Sequence, residues 1–184
     1  EYYYGDTLEA AKAKTEADAT DAVVERTGWV GEATTVTVLP NTMNKFVGYK
    51  YDSTEGATSY TVAANAATDT TTHIVKVYYT AIDYTVTYEY EGTVPSGATA
   101  LPSAVTGKHI GDEVEVADAA SAAGYTFSGW SVKSPSGVSI ANGKVTMPAN
   151  NVVLVGSFTA NDYTVSYEYE GTVPSGATAL PSAV

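Results

Sequence analysis

No cysteine occurs among the 184 residues, which removes disulfide scaffolding, thiolate nucleophiles and cysteine-type zinc sites together. Histidine is nearly as scarce, at two, and 9 basic side chains face 21 acidic ones for a net charge of −12. Nucleic acid is held by clusters of Lys and Arg, and none is present, so it is excluded as a partner. An anionic membrane surface is disfavoured on the same ground. No run approaches the roughly 20 apolar residues of a membrane-spanning helix, so membrane insertion is not expected. With no thiol and only two imidazoles, far apart in sequence, an enzyme is not expected either. The sequence opens on EYYY, which reads as mid-strand, so any signal peptide of a parent protein is expected to have been removed already.

What is abundant is Tyr (15) and Thr (27), with 16 Gly and 7 Pro. Tyr, Thr and Val suit a pleated surface with one wet face, and Gly and Pro supply the turns between strands. Acidic, Cys-free β-proteins of this composition look like secreted proteins of organisms that do not rely on disulfides. The length suits one large domain or two small ones.

An internal repeat organises the chain. Residues 84–105 read YTVTYEYEGTVPSGATALPSAV and 163–184 read YTVSYEYEGTVPSGATALPSAV, differing only at Thr87 and Ser166, at an offset of 79 residues. That offset is too long for a solenoid coil and right for a small domain. The expected division is 1–83, a diverged domain truncated at its first strand; 84–162, one complete repeat; and 163–184, the opening strand and loop of a further repeat in an array. Fainter echoes tie the first part to the same plan. Lys76-Val77-Tyr78-Tyr79-Thr80-Ala81-Ile82-Asp83 aligns with Val155 to Asp162, Gly48-Tyr49 with Gly124-Tyr125, and Tyr3-x-Gly5 with Tyr90-x-Gly92.

Strict period-two alternation over 84–91 puts Tyr84, Val86, Tyr88 and Tyr90 on one face and Thr85, Thr87, Glu89 and Glu91 on the other. Val114 and Val116, Tyr125 and Phe127, and the run Val152 to Phe158 read as strands, as do Val36 with Val38, Tyr60 with Val62, and His73 to Tyr79. Residues 7–26 break the pattern, being rich in Ala, Glu and Lys between a possible N-cap at Thr7 and a stop at Gly28; they predict one or two helices packed on the sheet. Ala117 to Ala123 is a shorter helical candidate. The expected fold class is α+β and mostly β, as two small β-grasp-like or split-sheet domains in tandem, the first with a helical insert.

YTVTYEYEGTVPSGA, Gly111-Asp112-Glu113-Val114, GYTFSGW and MPANNVVLVGSFTA together resemble the SHIRT and related β-rich repeats of Gram-positive cell-wall-anchored adhesins. GYTFSGW is also similar to the Listeria–Bacteroides repeat of internalin-like proteins. FVGYKYDSTEG followed by HIVKVYYTAID resembles the end of a mucin-binding-protein type domain, from which the Ala-rich 7–26 stretch departs. The resemblance implies an extracellular segment of a surface adhesin, attached to the cell wall through a C-terminal region outside these residues. It implies no enzymatic activity, no cofactor and no catalytic residue to carry over.

The residues themselves point the same way. Asp112, Glu113, Glu115 and Asp118 could offer oxygens to calcium, but Glu113 and Glu115 alternate with Val114 and Val116 as a solvated strand face does, and no EF-hand spacing exists. Glu89 with Glu91, repeated as Glu168 with Glu170, is a strand face rather than an acid/base pair. His73 and His109 lie in no catalytic motif. LPSAVTG at 101–107 lacks the Thr of a sorting signal, Ala104 standing in its place, and reads as a loop, as does its copy at 180–184. An intramolecular Lys–Asn isopeptide needs both groups buried side by side; Lys76 and Asn151 lie in different domains, and the complete repeat offers only Lys108, Lys133 and Lys144. Trp29, Trp130 and the tyrosines could stack sugars, although tyrosines on a period-two face more often pack as sheet cover. No catalytic, cofactor-binding or metal-binding residue is therefore assigned, and ligand-binding residues stay unassigned.

Two functions follow from the resemblance and the repeat: a stalk that projects an adhesive tip, or a module in which residues 1–83 bind host glycans, mucin or a host protein. The expected partners are such a ligand and neighbouring repeats. The last 22 residues, too few to bury a core alone, are expected to pair with an exposed sheet edge or to exchange strands between molecules.

Overall fold

The computed structural model describes residues 1–19, 33–35, 45–57, 59–61 and 74–184, with backbone pairing alone for 33–35 and 59–61. It is mostly β, with one short helix among the described residues. In the N-terminal part, β1 (Tyr2–Gly5) runs parallel to β5 (Lys76–Ala81), and β3 (Tyr49–Glu55) pairs antiparallel on the other side of β5. A two-stranded ribbon joins β2 (Ala33–Thr35) and β4 (Ser59–Thr61). Strand β5 is buried along nearly its whole length, as a central strand flanked on both edges should be.

The one helix among the described residues, α1 (Leu8–Lys12), lies within the 7–26 stretch for which one or two helices are predicted. Thr7 caps it as expected, its Oγ1 accepting from the Ala10 N–H at 3.1 Å. Ala13 ends it, and the chain then turns back so that the Asp18 carboxylate accepts from the Tyr4 N–H at 2.9 Å. Tertiary pairing of 18–19 with Tyr2 thus claims the backbone that would have propagated the helix. Ala11 is fully buried beneath it, against Tyr3 and Tyr78. Residues 20–26, Gly28, Trp29, Val36, Val38, Val62 and His73 lie outside the described residues. The closing strand of this part begins at Lys76, Ile74 and Val75 lying before it.

From residue 84 a second set of sheets begins. β6 (Tyr84–Glu91) is central, parallel to β13 (Val152–Ala160) and antiparallel to β7 (Val105–Lys108); β10 (Ser131–Ser134) flanks β13, and β9 (Tyr125–Phe127) pairs with its far end. A smaller sheet packs β8 (Glu113–Glu115), β12 (Lys144–Thr146) and β11 (Ile140–Ala141). The order second–first–last, with first and last parallel, is β-grasp-like, and a strand occupies the remaining position. The alternation over 84–91 is realised: Tyr84, Val86 and Tyr88 are buried, and with Val114, Val145, Met147, Val152 and Leu154 they form the core. Each such aliphatic side chain taken from water contributes about 1.5–3 kcal/mol.

Two local readings need correction. Ala117 to Ala123 forms no helix. Its backbone is bound elsewhere: Ala117 N–H donates to the Tyr88 hydroxyl at 3.0 Å, Ser121 N–H to Thr99 Oγ1 at 3.0 Å, and the Asp118 and Ser121 carbonyls accept from the Trp130 indole and Thr99 N–H. With those groups consumed by tertiary partners, no i to i−4 ladder can form. The second correction concerns LPSAVTG, of which only 101–104 is loop, because Val105 to Gly107 belong to β7.

The last 22 residues pair with no sheet strand among the described residues. They close on themselves instead: Val165 and Val184 exchange both backbone hydrogen bonds, at 2.9 and 3.2 Å. That pair reproduces the Val86–Val105 partnership of β6 and β7. Tyr169 hydroxyl donates to the Thr178 carbonyl, as Tyr90 does to Thr99, and Ala177 N–H to Pro174, as Ala98 does to Pro95. The segment is a copy of the 84–105 hairpin without the strand that would cover it.

Candidate functional site

Three groups of side chains could carry function: the aromatic faces, the carboxylates, and the junction between the two sheet systems. In the N-terminal sheet the parallel pair β1/β5 places tyrosines side by side on both faces. Tyr3 lies 5.5 Å from Tyr78 on one face; Tyr4 lies 4.6 Å from Tyr49 and 4.7 Å from Phe46 on the other. Lysines cover these rings: Lys14 sits 4.0 Å over Tyr4, Lys45 4.2 Å over Tyr2, Lys12 5.4 Å over Tyr78 and Lys76 5.6 Å over Tyr3. Four of the nine basic residues thus lie over ring faces, Lys12 and Lys14 while also pairing with the Glu55 and Asp18 carboxylates, and each contact stabilises cation and ring together. Tyr3 is pushed up to about 12, first by the hydrogen bond to the Glu1 carboxylate and then by burial. Tyr78 is raised by burial and by its bond to Glu55 at 3.0 Å, and Tyr49 chiefly by burial. Glu55 is held below the usual carboxylate range by Lys12 and then by Tyr78.

Trp130, the aromatic singled out in the complete repeat, is half-buried with its ring packed among other aromatics. Tyr90 stacks on it at 5.7 Å and 15°, Tyr88 meets it edge-on at 4.9 Å, Phe127 at 5.0 Å, and its indole N–H donates to the Asp118 carbonyl at 3.0 Å. Phe127 lies across Gly156, where a Cβ would overlap its ring. These contacts make Trp130 sheet cover. Tyr125, 39 % exposed, sits at the rim.

The carboxylates are dispersed. Glu113 pairs with Lys144 at 3.0 Å and Glu89 with Lys133, and each lysine is raised by its partner. Asp112 Oδ2 accepts from the His109 N–H at 2.8 Å. No three acidic or histidine side chains among the described residues converge on a metal-sized space. A shallow open groove of about 420 Å³ runs beside the β11–β12 hairpin, lined by Ser139, Asn142, Lys144, Glu113 and Thr146. Its two charged residues already satisfy one another. Asn151, considered for an isopeptide, accepts the Thr85 N–H on its Oδ1 at 2.9 Å and so holds the start of β6.

The junction is what sequence reasoning missed. Ile82, half-buried, packs against the core of the second sheet system while its N–H donates to Gly48 O at 2.9 Å in the first. His109, which lies in no catalytic motif, places Nε2 3.2 Å from Asp83 Oδ1 and Nδ1 3.7 Å from Asp6 Oδ1. The matching Gly-Tyr positions 48 and 124 were a usable signal, because Asn161 N–H donates to Gly124 O at 2.8 Å in the same way.

Among the described residues no helix is long and apolar enough to cross a membrane. No curated protein and no solved structure matches the chain. Residues 83–162 match the model of the divergent InlB B-repeat domain, a repeat of bacterial surface proteins.

Proposed function

We propose that the chain is a non-enzymatic, extracellular repeat region of a bacterial surface adhesin, acting as a spacer that projects an adhesive tip from the cell wall. One observation carries this reading: a 22-residue segment recurs with a single difference at an offset of 79 residues, and the stretch between lies within a surface-repeat match. Near-identity between neighbours is what recombination-driven changes in repeat number leave behind. It suits a part whose length matters more than its surface. A folded unit of this size has a radius of gyration of about 12 Å, so each added copy extends reach by a few nanometres.

A second reading is favoured by the lysine-covered tyrosines of residues 1–83. Cations beside aromatic rings suit acidic glycans of the mucin type, or a host protein. Chains spanning 1–162 and 84–162 applied to a mucin and host-glycan array separate the two. The spacer reading expects no saturable signal from either. Competable binding by the longer chain alone would replace it with the binding-module reading for the N-terminal part.

A further inference from the structure

Only Ile82 and Asp83 separate β5 from β6, so the two sheet systems meet across a very short connection. The meeting is built rather than incidental. The turn His109–Asp112 is pinned to its own core: Gly111 N–H donates to Met147 O at 2.9 Å, Met147 N–H returns to Asp112 O at 2.8 Å, and Asp112 closes the turn on the His109 N–H. From that fixed base Ile110 projects against Gly48 of the N-terminal sheet. A Cβ at Gly48 would stand 2.7 Å from Ile110 Cγ2 and 3.0 Å from its Cβ, so the approach is available only to glycine, and the φ of +84° there asks for glycine as well. Beside it the His109 ring spans Asp83 of the connection and Asp6 of the β1–α1 turn.

We infer that the His109–Asp112 turn is a docking element, with Gly48, Asp83 and Asp6 as its socket, and that it fixes each repeat against the one before it. The contacts of the His109 ring with the two exposed carboxylates contribute little alone. Orientation is set by Ile110 on bare backbone and by Ile82, shared between one side's hydrogen bonding and the other side's core. The first part of the socket recurs at the far end of the complete repeat. Gly124 again has a positive φ and again accepts from the residue after the closing strand, here Asn161, with Asp162 following where Asp83 does. The partner this surface fits is therefore the equivalent turn of a further copy of the repeat. This deepens the spacer reading and rests on it for its purpose, since a spacer with fixed joints holds its length.

The absence of cysteine makes the test direct. Spin labels are placed on the 184-residue chain through Asp52→Cys and Ser139→Cys, exposed positions on either side of the joint, and their separation is read by double electron–electron resonance. The expected result is one narrow distance distribution that at least doubles in width in a chain also carrying I110S and H109A. Circular dichroism checks that both chains stay folded. Should the double variant lose its fold, Gly48→Ala, made on the opposite side of the contact, is expected to broaden or shift the distribution by itself. A distribution already broad in the unaltered joint, and unmoved by these changes, overturns the docking element. That result leaves the spacer reading standing, because glycan binding is measured separately.

Discussion

Val86 and Val165 occupy equivalent places in two copies of one sequence, yet the first is fully buried and the second is 57 % exposed. Environment alone separates them. Val86→Ala removes two methylene-sized groups worth about 0.8 kcal/mol each and leaves a cavity, so a loss of about 2 kcal/mol is expected. Val165→Ala is expected to stay within about 0.5 kcal/mol; urea denaturation of both variants checks the contrast. Gly156→Ala tests the close approach of Phe127, with a cost of about 1–3 kcal/mol expected from overpacking, read from the same curves. Tyr3 supplies a pH dependence. Its folded pKa of about 12 exceeds the unfolded value of 10.0, so the folded state holds the proton more tightly. That stabilisation is complete below pH 10 and is lost as the pH rises from 10 towards 12. Phenolate absorbance should show Tyr3 ionising late, along with the raised Tyr49 and Tyr78, and Tyr3→Phe should remove part of the accompanying fall in the denaturation midpoint over that window.

At the scale of elements, what could be read in advance was whatever a local pattern dictates. The strand over 84–91 and its buried face follow from strict alternation, and the Thr7 cap follows from residue type. The helical reading of 117–123 overreached because Ala-rich composition expresses a weak preference that tertiary partners override, Tyr88 and Thr99 claiming the backbone at Ala117–Ser121 as Tyr2 and Tyr4 claim residues 18–19 beyond α1. No periodicity in 117–123 announces those distant groups. The hairpin copies show the opposite case. The Val165–Val184 pair and the Tyr169–Thr178 bond form without a covering strand, so this hairpin's geometry is encoded within its 22 residues. Its persistence is not. Amide exchange should separate the copies, with Val86 and Tyr88 protected by β13 and β7, and their equivalents Val165 and Tyr167 exchanging faster by orders of magnitude. Equal protection of the two copies would contradict the structure described.

For the whole molecule, the recurrence of a 22-residue segment at a 79-residue offset is legible in the sequence, but the joint is not. Its members, Asp6, Gly48, Asp83, His109 and Ile110, are scattered over more than a hundred positions, and each alone looks like an ordinary turn residue. Only the chain path brings them together. The aromatic surfaces were anticipated as sheet cover in the complete repeat, and the packing of Trp130 against Tyr88, Tyr90 and Phe127 agrees. The lysines over the N-terminal tyrosines were not anticipated, because cation–ring pairing depends on register between strands rather than on spacing along one.

The parallel pairing of opening and closing strands has a mechanical side. Because β6 and β13 run in the same direction, the start of the first and the end of the second lie at opposite ends of their shared ladder. A pull transmitted along the chain drags the two strands past one another lengthwise. The hydrogen bonds between them, lying across that direction, are then loaded in shear and give way together, whereas a hairpin pulled from its open end unzips one bond at a time. The N-terminal sheet repeats the device with β1 and β5. A protein tethered at one end and tugged by flow at the other would thus meet the force with its most resistant geometry.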